Sequence, residues 1–435
     1  MIKLTINCML NFLPKYRIVQ NSMCGGLGHT PPDNPGNVLT KASTLHAGDQ
    51  DHMAHIKIPV ATLRPGMYIV DPGISWLKAP LLYMQEGILA SSDEINGIIL
   101  QGFAEAYYDP ERSCDENAAA PQPNTPLAVE LQNANRIYED AYENVKNFLE
   151  SARGGALDLT FARPLVGDII KSLSRNVDAL VTLSLLKKTD EYTYAHSVNV
   201  TIFAVAFANF LGMPDDRLHN VGLAGLLHDY GKALIPNEIL TAPRSLTFQE
   251  FEVMRSHVLL GVEKIKQFSS VEHEAIEGIA QHHEKHNGTG YPNRLSGKQI
   301  GVFGRILSLS DVYDALSSRR VYKGALAPNK ALGMMYKMRG QAWAPGYVER
   351  FIKMVGIFPV GTAVELSNEH QGIVCRSNPN FPAQPCVLVA RDPDGRTIQP
   401  QFVDLTRYIG LRITRSLSAA ESAHFDIPLL LGGPA

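Results

Sequence analysis

The chain has 435 residues, more than a single hydrophobic core usually organises, so two or three domains are expected. Its net charge of -3 provides no general basic field, which argues against binding of a nucleic-acid polymer and leaves phosphate recognition to local charge. The five cysteines, Cys8, Cys24, Cys114, Cys375 and Cys386, form no Cys-x-x-Cys pair and suit a reduced cytoplasm.

Residues 1–52 mix Gly, Pro, Asn and His without sustained periodicity and are expected to be a disordered extension. The apolar stretch from Met9 to Leu13 is broken by Asn11 and stopped by Pro14, far short of the roughly 20 residues that span a bilayer, so no membrane span is expected. Order begins after Met53, which makes Met53 an alternative start to Met1. Over 53–109, short apolar runs such as 63–70 and 98–103 alternate with turn residues around a helical stretch, the texture of a small α+β domain. Residues 110–126 carry prolines among Ala, Asn and acidic residues and read as a linker.

From 127 to 358 the patterns are helical. Between 127 and 151, Leu131, Ala134, Tyr138, Tyr142, Val145 and Leu149 recur at helical spacing, a stripe that suits core packing and is also compatible with a homodimer seam or a signalling stalk. Thr247-Phe248-Gln249-Glu250 is a capping box opening a helix whose stripe is Phe251, Met254, Val258, Val262 and Ile265, with His257 beside it. From 359 to 435 the runs become short and β-like, separated by turns such as Asp392-Pro393-Asp394-Gly395. The expected fold is multidomain: a helical bundle preceded by a small α+β domain and followed by a small β appendage.

Eight of the fourteen histidines lie between His196 and His286, on or at the ends of helical patterns. Neutral imidazoles with a few carboxylates suit iron, manganese or zinc, whereas calcium takes an all-oxygen shell. Taken singly, each His is more often a core residue satisfied by a hydrogen bond, and Lys232 a lysine in solvent. His228-Asp229, however, closes the apolar run 221–227, and a carboxylate at the end of a buried helix requires a partner. Residues 282–292, His-His-Glu-Lys-His-Asn-Gly-Thr-Gly-Tyr-Pro, run two imidazoles into a glycine-rich turn. There Gly288 and Gly290 read as positive-φ positions and Tyr291 as a turn aromatic covering the core. Asp314, three residues after Asp311, falls on nearly the same helix face, where it would either orient a ligand or lie exposed at the surface.

The order His196-Ser197, His228-Asp229-Tyr230-Gly231-Lys232, His257, His282-His283, Gly290-Tyr291-Pro292 and Asp311 resembles the HD-GYP family, bacterial phosphodiesterases of the HD hydrolase superfamily that cleave cyclic di-GMP. Ile235-Pro236, Arg320 and Tyr322-Lys323 extend the likeness over a core of 185–340 within an HD-type catalytic domain of 127–358. Residues 56–109 resemble the N-terminal domain of uncharacterised function often joined to such proteins, and the β segment resembles another frequent companion. The resemblance implies two divalent ions, iron or manganese foremost. His196, His228, Asp229 and Asp311 would hold one, Asp229, His257, His282 and His283 the other, with Asp229 as bridge. Some members bind a third ion through a Glu one turn before the first histidine; that position is Tyr192 here, and Glu191 lies about 100° away around the helix. Two ions roughly 3.5 to 4 Å apart would lower the pKa of a shared water and generate hydroxide.

Asp229 and Lys232 are thus expected to be catalytic, and Lys232, Gly290, Tyr291, Arg320 and Lys323 to contact substrate, giving pGpG and/or GMP. The implied partners are cyclic di-GMP and GGDEF-type diguanylate cyclases. The alternatives are a slow cyclic di-GMP sensor or docking module, and a phosphohydrolase of another cyclic dinucleotide or nucleotide.

Overall fold

The computed structural model describes residues 56–64, 67–70, 81–89, 92–100, 103–109, 125–153, 158–187, 192–318, 326–379, 381–408 and 410–432. The expected extension, Met53, most of the 110–126 linker, Glu191, Arg320, Tyr322, Lys323 and the side chain of Tyr192 fall outside them. The described residues form two compact units, one ending at Asp109 and the other starting at Thr125.

In the first unit, strands β1 (Ile56–Pro59), β2 (Tyr68–Val70), β3 (Leu82–Tyr83), β4 (Gly87–Ile88) and β5 (Glu105–Asp109) make a sheet of order β1-β5-β2-β4, with β3 parallel to β5. Helix α1 (Ser92–Leu100) sends Ile95 and Ile98 into a core with Ile69, Leu89 and Ala106. Ile99 and Leu100 face solvent. The apolar run that reads as β-like from residue 98 therefore begins as the end of a helix, because only positions three apart are buried.

The second unit begins with α2 (Leu127–Arg153), α3 (Ala162–Arg175), α4 (Val177–Leu186), α5 (Tyr192–Phe210) and α6 (Asp215–Leu227). Leu131, Ala134, Tyr138, Val145 and Leu149 of α2 are buried against α3, α4 and α5, so its stripe lies in the core of its own unit. Helix α5 is apolar on every side, with Val198, Val200, Ile202, Phe203, Ala204 and Val205 all buried, as expected of the central helix of a bundle. Gly225 lets α6 lie against it, since a Cβ there would stand 3.0 Å from Thr201 Cα.

Thr247 and Glu250 form the expected capping box, each side chain accepting the other's backbone N–H. The single helix expected after it is divided at Ser256 into α7 (Phe248–Arg255) and α8 (His257–Ile265). Ser256 Oγ donates to the Val253 carbonyl at 2.6 Å, and its N–H is shared between Glu252 and Val253. These local bonds compete with the regular ladder, so His257 opens a new helix. Helices α9 (His273–Gln281), α10 (Val302–Ser317), α11 (Pro328–Lys337) and α12 (Tyr347–Val355) complete the bundle.

Strands β6 (Ala363–Leu366), β7 (Gln371–Arg376), β8 (Cys386–Arg391), β9 (Thr397–Asp404) and β10 (Ile413–Ser416) form an antiparallel sheet of order β10-β6-β7-β8-β9. Its Val364, Ile373, Val387 and Val389 share one apolar core with the helices.

Candidate metal centre and cleft

Three helix ends and two helix interiors bring the histidines together. Helix α6 stops at Leu227, so His228 caps it and Asp229 leaves helical geometry at φ -102°. The chain then makes a 3-10 turn, Tyr230–Leu234, pressed onto the start of α8. Only glycine permits this at position 231, where a Cβ would lie 1.8 Å from the carbonyl oxygen of His257. Helix α9 ends at Gln281, which places His282 as its cap with His283 next. His196 comes from α5 and Asp311 from α10.

Asp229 stands between two groups of imidazoles. Its Oδ2 lies 3.5 Å from His196 Nε2 and 3.3 Å from His228 Nε2, while Oδ1 lies 3.4 Å from His257 Nε2 and 3.9 Å from His282 Nε2. Asp311 Oδ1 is 3.2 Å from His196 Nε2, and its Oδ2 is 3.7 Å from His283 Nδ1. Donor atoms of Asp229, His257, His282 and His283 lie within 4.8 Å of one another, as do those of His196, His228 and Asp311.

The far side of each ring shows which nitrogen is available. Nδ1 of His228, His257 and His282 sits 2.7, 2.7 and 2.6 Å from the carbonyls of Gly225, Met254 and Ile279, three residues earlier in each case. A carbonyl only accepts, so each Nδ1 carries the proton and each Nε2 points its lone pair inward. His196 Nδ1 donates to Asp314 Oδ2 at 2.7 Å, so Asp314 takes the orienting place expected of it; its Nε2 faces Asp229 and Asp311, and in the metal-free protein burial is outweighed by bonds to the three carboxylates, which hold this imidazole well above its ordinary value. Among the described residues, Nε2 of His228, His257 and His282, Oδ1 of Asp229 and Oδ2 of Asp311 are buried without a hydrogen-bond partner. Buried acceptors left unsatisfied are costly, and lone pairs converging from several sides are what a divalent cation takes up. The donor set is that of a divalent metal centre.

The electrostatics agree with that chemistry. Burial holds the imidazole of His282 down to about 3, and burial together with neighbouring His282 puts His283 well below its ordinary value, so both remain neutral donors. Burial would raise Asp229, but Lys232, His228 and a hydrogen bond from His196 outweigh it and hold the carboxyl well below the usual range. Burial likewise opposes ionisation of Asp311, and its bond to His196 and the nearby His283 overcome it.

A pH dependence follows for the metal-free protein. Unfolded, His282 takes up its proton near pH 6.5; folded, it resists until about 3, so between those values the unfolded chain binds more protons. The contribution of His282 is therefore complete above about pH 6.5 and is lost as pH falls toward 3, and Asp229 and Asp311 act in the same direction at the acid end. Thermal unfolding of chelator-treated protein is expected to show Tm falling from pH 7 to pH 4; an unchanged Tm over that range contradicts this.

Beside the centre lies a cleft of about 360 Å³, within the size range of small-ligand sites. Lys232, Arg255, Lys285, Gly290, Tyr291 and Arg294 are among its lining residues. Lys232 Nζ is paired with Asp229 Oδ2 at the cleft edge. The Tyr291 ring packs on His283 at 4.7 Å between centroids, and the Arg255 guanidinium lies 4.6 Å from the Tyr291 centroid. Gly288 has the expected positive φ, at 78°. Gly290 does not: its requirement is close approach, because a Cβ would stand 2.4 Å from Glu284 Cα and Lys285 N.

Sequence reasoning passed over two residues here. Glu284 is buried, and its carboxylate accepts the backbone N–H groups of Asn293 and Leu295 at 2.6 and 3.0 Å, pinning the turn that carries Tyr291. Arg255, which the sequence did not single out, lines the cleft and lies over the Tyr291 ring. The only local signal for Glu284 was a carboxylate placed directly after two candidate ligands.

A family model for an HD domain matches residues 181–345, and one for a domain of unknown function (DUF3391) matches residues 55–159, a span that includes α2. The chain is 34% identical over 369 residues to cyclic di-GMP phosphodiesterase PA4108 of Pseudomonas aeruginosa, covering 81% of this chain and 89% of that protein. It is 40% identical over 197 residues to a probable cyclic di-GMP phosphodiesterase of Vibrio cholerae, covering 41% of this chain and 45% of the relative. It is 35% identical over 162 residues to 3'3'-cGAMP-specific phosphodiesterase 2 of Vibrio cholerae, covering 37% of this chain and 31% of the relative. These last two matches span less than half of the relatives' lengths.

Proposed function

Since the chain belongs to the HD-GYP family, we propose that it is a metal-dependent phosphodiesterase hydrolysing cyclic di-GMP to linear pGpG and/or GMP. The observation that carries this reading is the convergence of five buried, unpartnered acceptor atoms from His228, Asp229, His257, His282 and Asp311 beside an open cleft. We assign one ion to His196, His228, Asp229 and Asp311 and a second to Asp229, His257, His282 and His283, with iron or manganese as the metal. Bound there, the pair supplies Lewis acidity and a hydroxide nucleophile near neutral pH.

The protein's own contribution is position and charge. Asp229 turns one oxygen to each histidine group and so holds both in register. Lys232, tethered to Asp229, offers its ammonium to a non-bridging phosphate oxygen where negative charge accumulates. The backbone of Gly290 and the ring of Tyr291 form the lip on which a guanine rests, with Arg255 on the Tyr291 ring. Arg320 and Lys323 are assigned to substrate by their match to the family pattern.

Lys232→Ala is expected to lower kcat on the order of 10²-fold, the scale of one lost electrostatic donor, while bound metal per chain stays unchanged. Metal analysis alongside steady-state kinetics checks both halves. Protein purified without oxygen and loaded with ferrous or manganous ion should convert cyclic di-GMP to product resolved by chromatography. Absence of turnover at two ions per chain overturns the proposal. One relative is named for 3'3'-cGAMP, so the same assay with that dinucleotide decides between two substrates.

A cytoplasmic setting, docking of GGDEF-type cyclases and a homodimer belong to the same reading. The free thiols of Cys375 and Cys386 support the first. Because the stripe of α2 lies in the core, a homodimer would use another face, which light scattering tests.

A further inference from the structure

Of the four histidines of the centre with an assigned Nδ1 partner, His228, His257 and His282 are each held by a carbonyl three residues earlier. Their orientation is local. His196 is held instead by the Asp314 carboxylate, 118 residues further along the chain. Asp314 is itself gripped: Oδ1 accepts from Asn199 Nδ2 at 2.8 Å and from Ser318 Oγ at 2.6 Å. Asn199 Oδ1 then accepts from the Tyr138 hydroxyl at 2.8 Å. Tyr138 thus donates to Asn199 and Asn199 to Asp314, while the His196 ring donates to Asp314 from the other side, and all four residues are buried.

Tyr138 lies on α2, inside the span matched by the domain of unknown function, whereas Asn199, Asp314 and His196 lie inside the span matched by the HD domain. The same helix reaches the other side of the centre, where Phe148 packs on Tyr230 at 5.5 Å between ring centroids, one residue beyond Asp229. Helix α2 therefore touches the supports of two candidate ligands, and only the His196 support is a chain of hydrogen bonds.

We propose that Tyr138 and Asn199 are positioning residues which, through Asp314, set the orientation and donor strength of His196 and thereby the affinity of the ion bound by His196, His228 and Asp311. This rests on the metal-centre reading but not on the substrate. Outer partners of metal-bound histidines typically change affinity about 10- to 100-fold when removed. Tyr138→Phe deletes the hydroxyl and keeps the ring.

Titration of metal-free protein with Mn(II), followed by electron paramagnetic resonance, reads each ion separately without any turnover. Tyr138→Phe and Asn199→Ala are expected to weaken one ion roughly three- to tenfold and Asp314→Asn more, at the scale of outer-partner loss, with the second ion unchanged. At saturating Mn(II), kcat should return toward the unsubstituted value. A relay also requires that Tyr138→Phe add no further weakening in an Asp314→Asn background, because the chain is already cut there. Wild-type affinity for both ions in Tyr138→Phe and Asn199→Ala overturns the proposal. So does an equal weakening of both ions, or a Tyr138→Phe effect fully additive with Asp314→Asn, since either marks loosened packing rather than a relay.

Discussion

Asp229→Ala is expected to eliminate measurable hydrolysis, a loss on the order of 10³-fold or more, and to reduce bound metal below two ions per chain. Asp229 is the residue whose two oxygens face the two histidine groups separately, at 3.3 and 3.5 Å on one side and 3.4 and 3.9 Å on the other. Alanine removes the proposed bridge and also frees Lys232 from its carboxylate partner. The variant should still fold, because the apolar core of the bundle is untouched. Asp229→Asn keeps the shape but removes the charge, and is expected to lose metal in the same way. Chromatography of product together with metal analysis of each variant tests this; near-normal turnover in Asp229→Ala eliminates the bridging role.

Gly231→Ala is expected to impair stability and activity together. The new Cβ would stand 1.8 Å from the His257 carbonyl oxygen and 2.7 Å from Gly261 N, both backbone atoms that cannot rotate aside. The 3-10 turn and α8 must therefore separate, at a cost of about 1–3 kcal/mol or more from overpacking. That separation moves His257 away from Asp229 and carries Lys232 with the turn, so kcat/KM should fall by about 10²-fold, as misplacement near 1 Å does. Gly333→Ala is the matched control: it lies within α11 and a Cβ there meets nothing within 4 Å. It should leave activity unchanged and stabilise the helix by about 0.5–1 kcal/mol. A Gly231→Ala protein with unaltered Tm and rate removes the close-approach argument.

The capping box at Thr247 and Glu250 and the buried stripe of α2 were legible in the sequence, because each depends on spacing along one element, and the histidine cluster was legible in the order of its motifs along the chain. The break at Ser256 and the helical end of the 98–103 run were not, since both turn on which of several similar local hydrogen bonds or apolar faces the surroundings favour. Gly290 shows the same limit. Its small size was evident, but whether it answered to φ or to a neighbour depended on Glu284 coming within van der Waals reach.

What the sequence determined by itself is the set of donors and their places along the helices: His228-Asp229 after an apolar run, His282-His283 before a glycine-rich turn, and Asp311 and Asp314 one helical turn apart. What the tertiary structure decided is where the lone pairs point. For His228, His257 and His282 the decision is local, made by a carbonyl three residues back. For His196 it depends on Asp314, Asn199 and Tyr138 converging from three helices, because the orientation of an imidazole is set by whatever captures its other nitrogen, and that partner is adjacent in space but not in sequence.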